Sequence, residues 1–302
     1  MQTFDVIIVG GSVAGLSAAL ALGRSLRNVL VIDAGQPCNR QSPHSHNFLT
    51  QDGTSPADLI AIGKKQFEQY QSVSFVEEKV IRAEKRGAIF EVETESGKRF
   101  ESTTILLATG LSDISPEIEG FSDCWGISIL HCPYCHGYEV RDQQTAILAN
   151  GEAAYHTGML IHNWTKNLTI LTNGVSELRH IEHERLTNLG VEVIETEIKS
   201  IQHSNGSLEK ILFVDGSEFS AKALYASIPF TQQSPLAEML GCKMTQKGHI
   251  EVDNLNRTTV EGVYAAGDNT AEHRAISVAA AAGTIAGFCI NGDLVKMKMP
   301  AD

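Results

Sequence analysis

The stretch FDVIIVGGSVAG at positions 4–15 decides the fold of this chain. Its β-branched run ends at two glycines, and an Ala- and Leu-rich helical pattern then continues to about Leu26. A second run, VLVID at positions 29–33, follows and ends in an acidic residue. The order of strand, glycine turn, helix, strand and acid is typical of a unit that binds a dinucleotide.

Each part of this pattern has a role in binding. Gly10 and Gly15 let the backbone approach a pyrophosphate, the helix N-terminus faces its negative charge, and Asp33 can accept hydrogen bonds from a ribose diol. The middle glycine is replaced by Ser12, which adds a side chain where the backbone comes close. We predict that Gly10, Ser12, Gly15 and Asp33 bind a cofactor; the alternative is an α/β domain with a tight turn and no ligand.

Charge and composition exclude other classes of function. The chain has 302 residues, and its net charge of -12 disfavours nucleic acid and anionic membranes as partners. The N-terminus lacks the basic region of a signal peptide, and the longest apolar stretch, 275–290, is short for a membrane span and predicts a buried helix. Only two of the six cysteines are closely spaced, which fits a reducing compartment. We therefore expect a cytoplasmic protein that binds neither nucleic acid nor membrane.

The closely spaced cysteines lie in ILHCPYCHGYE at positions 129–139. Two cysteines separated by two residues can close a small disulfide ring. Pro133 suits the first turn of a helix, whose free N–H groups lower the pKa of a cysteine thiol. The alternative is half of a zinc site, but the other cysteines offer no second closely spaced pair. We predict a redox pair, Cys132 and Cys135, and no metal site.

A polar segment, 36–47, has neither a helical nor a strand period. It is predicted to be a loop, and functional loops of this kind often cover a bound cofactor, so Asn47 joins the predicted cofactor residues. The spacing of His44 and His46 would also suit a metal, but without further ligands nearby we favour hydrogen bonding within the loop.

The strand, turn, helix and strand begin again at Thr145. With an offset of 139 residues, Gly10 falls on Ala149, and Asp33 falls on the first residue of Thr172-Asn173-Gly174. An acid for NADH or an arginine for NADPH is expected at that place. The two halves are an internal repeat, and the second nucleotide site is weakened.

The second copy is predicted to be an inserted domain. The segments 111–119 and 229–241 are predicted linkers, and beyond them strand patterns at 249–253 and 263–268 precede an Ala-rich helix. We therefore predict an α/β fold in which one Rossmann-like dinucleotide-binding domain is inserted into another. The predicted limits are 1–115 and 236–302 for the first domain, and 116–235 for the inserted domain with the cysteine pair.

Three separated motifs resemble those of the thioredoxin reductase family of two-domain flavoproteins. They are Gly10 to Gly15 with Asp33, the pair Cys132-Pro133-Tyr134-Cys135, and Tyr264-Ala265-Ala266-Gly267-Asp268. Their order and spacing agree over almost the whole chain. The resemblance implies the FAD/NAD(P)-binding fold, FAD as the cofactor and a homodimer.

The resemblance also implies which further residues contact FAD. Asp268, beside Gly267, would bond the ribityl chain, and the final helix would point its N-terminus at the flavin. Thr109 and Gly110 would lie along the adenine-nucleotide portion.

By the same resemblance, Cys135 lies against the flavin and Cys132 exchanges with the sulfur of the substrate. Thiol–disulfide exchange needs a group that moves a proton. An acidic residue follows the second cysteine in the family's reductases, whereas His136 stands there in this chain. We predict that His136 is catalytic, because an imidazole can act as base or acid near neutral pH; the alternative is a residue on the helix face.

His136 and the weakened second site resemble a branch of dithiol oxidases that close disulfides in natural products and pass electrons from FAD to oxygen. Another branch accepts electrons from ferredoxin, and the sequence does not choose between them. We expect an FAD-dependent thiol–disulfide oxidoreductase without efficient use of NADPH. Its partner would be a small dithiol or disulfide, or a thioredoxin-like protein. The alternatives are an NADPH-dependent thioredoxin reductase and, in another class, a non-catalytic flavin-binding redox sensor.

Overall fold

The first stretch forms β1 (Gln2–Val9), α1 (Val13–Arg24) and β2 (Val29–Asp33) in a computed structural model, which describes residues 2–297 and 299. The later elements are, in chain order, α2 (Pro56–Lys65), β3 (Val73–Glu77), β4 (Val80–Arg86), β5 (Ile89–Thr94), β6 (Arg99–Leu107), β7 (Leu111–Asp113), α3 (Phe121–Cys124), β8 (Ile129–Leu130), α4 (Pro133–His136), β9 (Thr145–Leu148), α5 (Gly151–Ile161), β10 (Leu168–Leu171), α6 (His180–Asn188), β11 (Glu192–Ile194), β12 (Ile198–Ser204), β13 (Ser207–Phe213), β14 (Glu218–Ser220), β15 (Ala223–Ala226), β16 (Phe230–Gln232), α7 (Leu236–Met239), β17 (Val263–Ala265) and α8 (Ile276–Lys296).

By its contacts the chain divides into two compact units. The first, the outer unit, holds the residues up to Arg40, the segment Phe48–Ser112 and the residues from Phe230 onward. The second, the inner unit, holds Gln41–Asn47 and Asp113–Pro229. These divisions fall a few residues before the predicted limits of the inserted domain. They also assign the loop Gln41–Asn47 to the inner unit, although the sequence analysis places it in the first domain.

The outer unit is built on a seven-stranded sheet in which β1 lies between β2 and β6, and both pairings are parallel. β6 has two partners along one edge: its first half pairs antiparallel with β5, and its second half pairs parallel with β17. The sequence pattern predicts separate strands at 99–100 and 104–110. The structure joins them into one strand, because both halves pair with β1.

The strand predicted at 249–253 is wrong. This segment forms only isolated bridges, such as that between Met244 and Ile250. Its backbone groups bond to turns and loops instead: the Ile250 N–H donates to the Asn269 carbonyl, and the Asp253 N–H donates to the Arg257 carbonyl. No neighbouring strand is therefore needed to satisfy them.

The inner unit repeats the arrangement of the outer unit. β9, α5 and β10 form a second strand, helix and strand, and β9 pairs parallel with β10 and β15 in a five-stranded sheet. A separate antiparallel sheet consists of β12, β13 and β14, which follow β11 in the chain. The predicted α/β class and the internal repeat are confirmed.

The Ala-rich stretch forms the helix α8, which runs on to Lys296. By length and composition alone this helix could cross a membrane. In the outer unit its face with Gly283 and Gly287 is buried, and a Cβ at Gly283 would lie 2.0 Å from the Ala14 carbonyl oxygen of α1. The predicted helix is confirmed, but only one of its faces is buried, and the glycines of that face permit backbone contact with α1.

This contact predicts opposite effects for two alanine substitutions in α8. Gly283→Ala must push the two helices apart, so we expect it to lower the free energy of unfolding by about 1–3 kcal/mol. Gly292 is the matched control, because a Cβ added there would meet no atom of the described chain within 4 Å. Gly292→Ala should raise stability by about 0.5–1 kcal/mol through helix propensity. Urea unfolding followed by circular dichroism checks both, and effects of equal sign would contradict the packing.

Candidate active site

The carboxyl ends of parallel strands meet at one edge of the outer unit's sheet. β1 ends before Gly10, β2 ends at Asp33, and β17 precedes Gly267. β6, parallel to β1, leads into Thr109 and Gly110. The structure therefore brings most of the predicted cofactor residues to the strand ends where α/β proteins bind ligands.

The glycines of the first motif leave no room for side chains. Gly10 has φ +109°, and a Cβ there would lie 2.1 Å from the Ala108 carbonyl oxygen. A Cβ at Gly15 would lie 1.9 Å from the Gly10 carbonyl oxygen. The Gly11 N–H donates to Asp33 Oδ1 at 3.0 Å, which positions the carboxylate beside the turn. This is the close packing that a dinucleotide cradle requires.

Ser12 occupies the N-cap position of α1, with φ -85° and ψ -169°. This conformation is open to any residue, so serine replaces the middle glycine without backbone strain. Among the described residues, no side chain caps α1 or α8 at its N-terminus. Both helices thus keep N–H groups available to an anionic ligand.

Asn269 is a site residue that the sequence analysis missed. It is fully buried, and its side-chain amide donates to the Leu107 carbonyl at 2.9 Å and to Thr109 Oγ1 at 3.4 Å. Its Oδ1 has no hydrogen-bond partner within the described chain. A buried acceptor of this kind fits a ligand donor, and together with the glycine cradle it fits FAD.

Asp268 lies in a small charged group. Its Oδ2 is 3.7 Å from Nε of Arg274 and 3.8 Å from Sγ of Cys38. Arg274 directly precedes the N-cap of α8, and its side chain is 15% exposed. No sequence motif indicated either residue. Cys38 lies far from Asp268 in the chain, and Arg274 lies outside the motif that ends at Asp268.

In the inner unit, Cys132 and Cys135 form a disulfide with a Cα–Cα distance of 5.3 Å. Cys132 is the N-cap of α4 and Pro133 is its first residue, as predicted. The helix is a single turn that ends at His136. The structure therefore brings all three predicted catalytic residues together.

Aromatic residues surround this turn. A Cβ at Gly137 would lie 2.9 Å from Trp164 Nε1, and Tyr134 packs edge-on against the same indole at 5.6 Å. His131, directly before Cys132, has its ring centroid 6.1 Å from that of Trp125. Trp164 and Trp125 were missed, because their positions next to the cysteine pair arise only on folding.

His136 is half-buried beside the disulfide. Burial lowers the pKa of its imidazole below the usual value, while the carboxylate of Glu139 opposes this and His46 adds to it. His136 is therefore neutral at pH 7, which is the form that accepts a proton.

His46 and Asn47 belong to the loop Gln41–Asn47 of the inner unit. His46 Nε2 lies 3.6 Å from Glu139 Oε1, and Asn47 has a left-handed backbone with φ +60°. Asn47 thus belongs to the inner unit, which also holds the cysteine pair. His44 and His46 have ring centroids 6.3 Å apart.

The second glycine turn is occupied by side chains of the chain itself. Asn150 Oδ1 accepts from the N–H groups of Gly151 and Glu177, both at 2.8 Å, and its Nδ2 donates to the Val175 carbonyl. A Cβ added at Gly151 would lie 3.6 Å from Oε2 of Glu177. At the end of β10, Thr172 Oγ1 donates to the Gly174 carbonyl.

Comparisons with known proteins identify the family of this chain. The model of the family described as pyridine nucleotide-disulphide oxidoreductase matches residues 4–284. The chain belongs to this family. Thioredoxin reductase tcpT of Claviceps purpurea is 31% identical over 297 residues, which cover 94% of this chain and 92% of that protein.

Solved structures extend the similarity. An oxidoreductase from Agrobacterium tumefaciens is 35% identical, with a TM-score of 0.91 and coverage of 98% of this chain and 99% of that chain. HlmI is 30% identical, with a TM-score of 0.91 and coverage of 97% and 93%. The chain is thus a thioredoxin reductase-like oxidoreductase and a flavoprotein, and the family in general uses FAD and NAD(P).

The buried amide of Asn269 generates a stability prediction. Asn269→Asp replaces a donor with an acceptor facing the Leu107 carbonyl, so we expect a loss of about 2 kcal/mol or more in the free energy of unfolding. Asn254→Asp, at an exposed turn position of the same unit, should change it by less than about 0.5 kcal/mol. Urea unfolding measures both, and equal effects would show that the amide is not a structural donor.

Proposed function

We propose that this protein is an FAD-dependent thiol–disulfide oxidoreductase that takes electrons from a dithiol and does not use NADPH efficiently. Its electrons would pass to oxygen or to another acceptor that is not a pyridine nucleotide. The observation that carries the proposal is the second glycine turn, where Asn150 and Glu177 occupy the groups that a pyrophosphate would need.

The backbone N–H of a glycine turn binds a nucleotide only if it is available. The Gly151 N–H already donates to Asn150. Glu152 and Glu177 add exposed carboxylates at this helix N-terminus, and these repel phosphate. Thr172-Asn173-Gly174 offers no cation for a 2′-phosphate.

The first site is arranged in the opposite way and would hold FAD. Gly10, Ser12 and Gly15 would face the pyrophosphate, and Asp33 would accept from the ribose. Thr109, Gly110, Gly267 and Asp268 would line the remainder, and Asn47 stays a predicted contact. When bound, FAD supplies the two-electron acceptor for the reduced cysteine pair.

The cysteine pair would perform the exchange. We propose that Cys132 forms the mixed disulfide with the substrate, that Cys135 passes electrons to the flavin, and that His136 takes the substrate's proton. A neutral, half-buried imidazole suits a thiol donor, because it accepts a proton at pH 7 and returns it later. Tyr134, 63% exposed beside the pair, offers an apolar surface to a small dithiol.

Two reducing agents separate this proposal from an NADPH-dependent thioredoxin reductase. Under anaerobic conditions, dithiothreitol should bleach the visible flavin absorbance, whereas NADPH should leave it oxidised over the same time. The reason is that the disulfide accepts electrons from a thiol directly, but the second nucleotide site does not bind NADPH. Rapid bleaching by NADPH would reject the proposal and favour the reductase, with a thioredoxin-like protein as its partner.

A pair of serine variants tests the role of the disulfide. Cys135→Ser should abolish dithiol turnover and leave the flavin absorbance of the purified protein intact, because the cysteine pair and the FAD site belong to different units. Cys124→Ser is the control: burial raises the pKa of the Cys124 thiol, so it is unreactive and its loss should leave turnover unchanged. Full turnover without Cys135 would refute the role of the disulfide. Wild-type protein that binds flavin but shows no dithiol turnover would favour a non-catalytic flavin-binding sensor.

We further propose a homodimer located in the cytoplasm. Exposed apolar side chains of α8 recur at intervals of three and seven residues, at Val278, Ile285, Phe288 and Val295. They share one helix face, the type of surface that a second copy covers in an isologous dimer. Light scattering of the flavin-loaded protein measures the mass directly.

A further inference from the structure

We propose that Glu139, held by His46 of the loop Gln41–Asn47, completes a thiol-activating group whose base is His136. The inference rests on the proposed function and concerns the same site. Glu139 and His46 are positioning residues in it, because they act on the substrate through His136.

The geometry brings a histidine from a distant loop to the turn after the cysteines. His46 Nε2 and Glu139 Oε1 are 3.6 Å apart, and the two side chains are 20% and 40% exposed. Glu139 follows His136 by three residues and lies in the turn that continues the chain after α4. Within the loop, Ser42 Oγ donates to the His44 carbonyl at 2.9 Å, which shapes the segment that carries His46.

The charges around Glu139 define its effect. Its carboxylate raises the pKa of His136 against the effect of burial, and His46 lowers that pKa. On the sheet side, burial and the charge of Glu139 raise the pKa of Tyr225, which is 3% exposed and therefore stays a neutral phenol. The carboxylate thus pairs with the imidazole of His46 and acts through its charge on the imidazole of His136 and the phenol of Tyr225.

A carboxylate beside an imidazole makes it a stronger base, because it stabilises the imidazolium that forms when a proton is accepted. Burial alone would leave His136 neutral but weakly basic. Glu139 restores part of this basicity. His46 keeps the carboxylate at the turn, so the loop Gln41–Asn47 becomes part of the active site.

The exchange removes two protons and two electrons from the substrate dithiol. One substrate thiol gives its proton to His136, and its sulfur attacks Sγ of Cys132. The Cys132–Cys135 bond breaks, and Cys135 leaves as a thiolate with the electron pair of that bond. After His136 has released its proton to water, the second substrate thiol is deprotonated and attacks the substrate sulfur of the mixed disulfide. Cys132 leaves as a thiolate, and the substrate becomes a disulfide. FAD, when bound, would accept the two electrons of the reduced pair, and the Cys132–Cys135 bond would form again.

The first test measures the opening of the Cys132–Cys135 disulfide by dithiothreitol in the flavin-loaded protein between about pH 5 and 9. The experiment is anaerobic and samples are quenched with acid. Each opening is counted either as two new thiols, labelled with a maleimide, or as one flavin bleached by the electrons that the pair has passed on. The rate of each variant is divided by that of His136→Asn, which cancels the ionisation of dithiothreitol. The remaining acidic limb reports His136, whose base form is lost as the pH falls through its pKa.

Glu139→Gln keeps the size of the side chain and removes its charge. We expect the acidic limb to move to lower pH and the rate on the plateau to fall about tenfold, because the imidazolium loses its carboxylate. Asp123→Asn is the matched control, since Asp123 pairs with His203 at 3.5 Å elsewhere in the inner unit. It should leave both quantities unchanged. A limb and plateau in Glu139→Gln equal to those of the wild type would overturn the proposal.

Two substitutions test the positioning role of His46. His46→Ala releases Glu139, and we expect most of the rate loss of Glu139→Gln. His46→Gln keeps a donor that can reach the carboxylate, so it should restore most of the rate. Equal rates in the two variants would show that His46 does not hold Glu139.

The flavin absorbance, recorded in the same samples, separates this inference from the proposed function. If the wild-type disulfide opens with the expected limb while the flavin stays oxidised, the proposed function fails and the thiol-activating group stands. If the flavin is bleached but Glu139→Gln changes nothing, the proposed function stands and the inference fails.

Discussion

The contact between α1 and α8 is the constraint on which the outer unit depends. This unit is discontinuous, because the chain leaves it after Ser112 and returns at Phe230. The returning part is held to the first part by noncovalent contacts. β17 pairs with β6, and α8 packs against α1. Gly283 allows the backbone of α8 to touch that of α1 at Ala14, near the start of α1.

The sequence predicted the local parts of this fold well. β2 has the predicted bounds, and Pro133 begins α4, because β-branched runs and proline act through neighbouring residues. It did not predict that β6 is one strand, nor that 249–253 is irregular. Both depend on which distant strand is available for pairing, and a local pattern holds no such information.

The residues of the site are of the same two kinds, those that a local motif predicts and those that only folding brings together. The glycine cradle with Asp33 follows from a motif whose members are close in sequence or spaced by one βαβ unit. Asn269, Trp164 and the pairing of His46 with Glu139 join residues far apart in the chain. That the polar loop covers a cofactor stays a prediction, and its assignment to the inner unit with the cysteine pair arises from folding alone.

The two glycine turns differ by one side chain, and this difference changes which backbone N–H groups are already bonded within the chain. Gly11 and Asn150 occupy equivalent positions of the repeat. Where glycine stands, its N–H donates to Asp33 and the turn stays bare for a pyrophosphate. At the second turn, the side-chain oxygen of Asn150 accepts hydrogen bonds from the N–H groups of Gly151 and Glu177. The N–H groups of Gly151 and Glu177 are thus bonded within the chain, and they need no ligand to be satisfied. The inner unit can therefore keep its Rossmann-like architecture as a rigid support for the cysteine pair, His136 and the loop that carries His46.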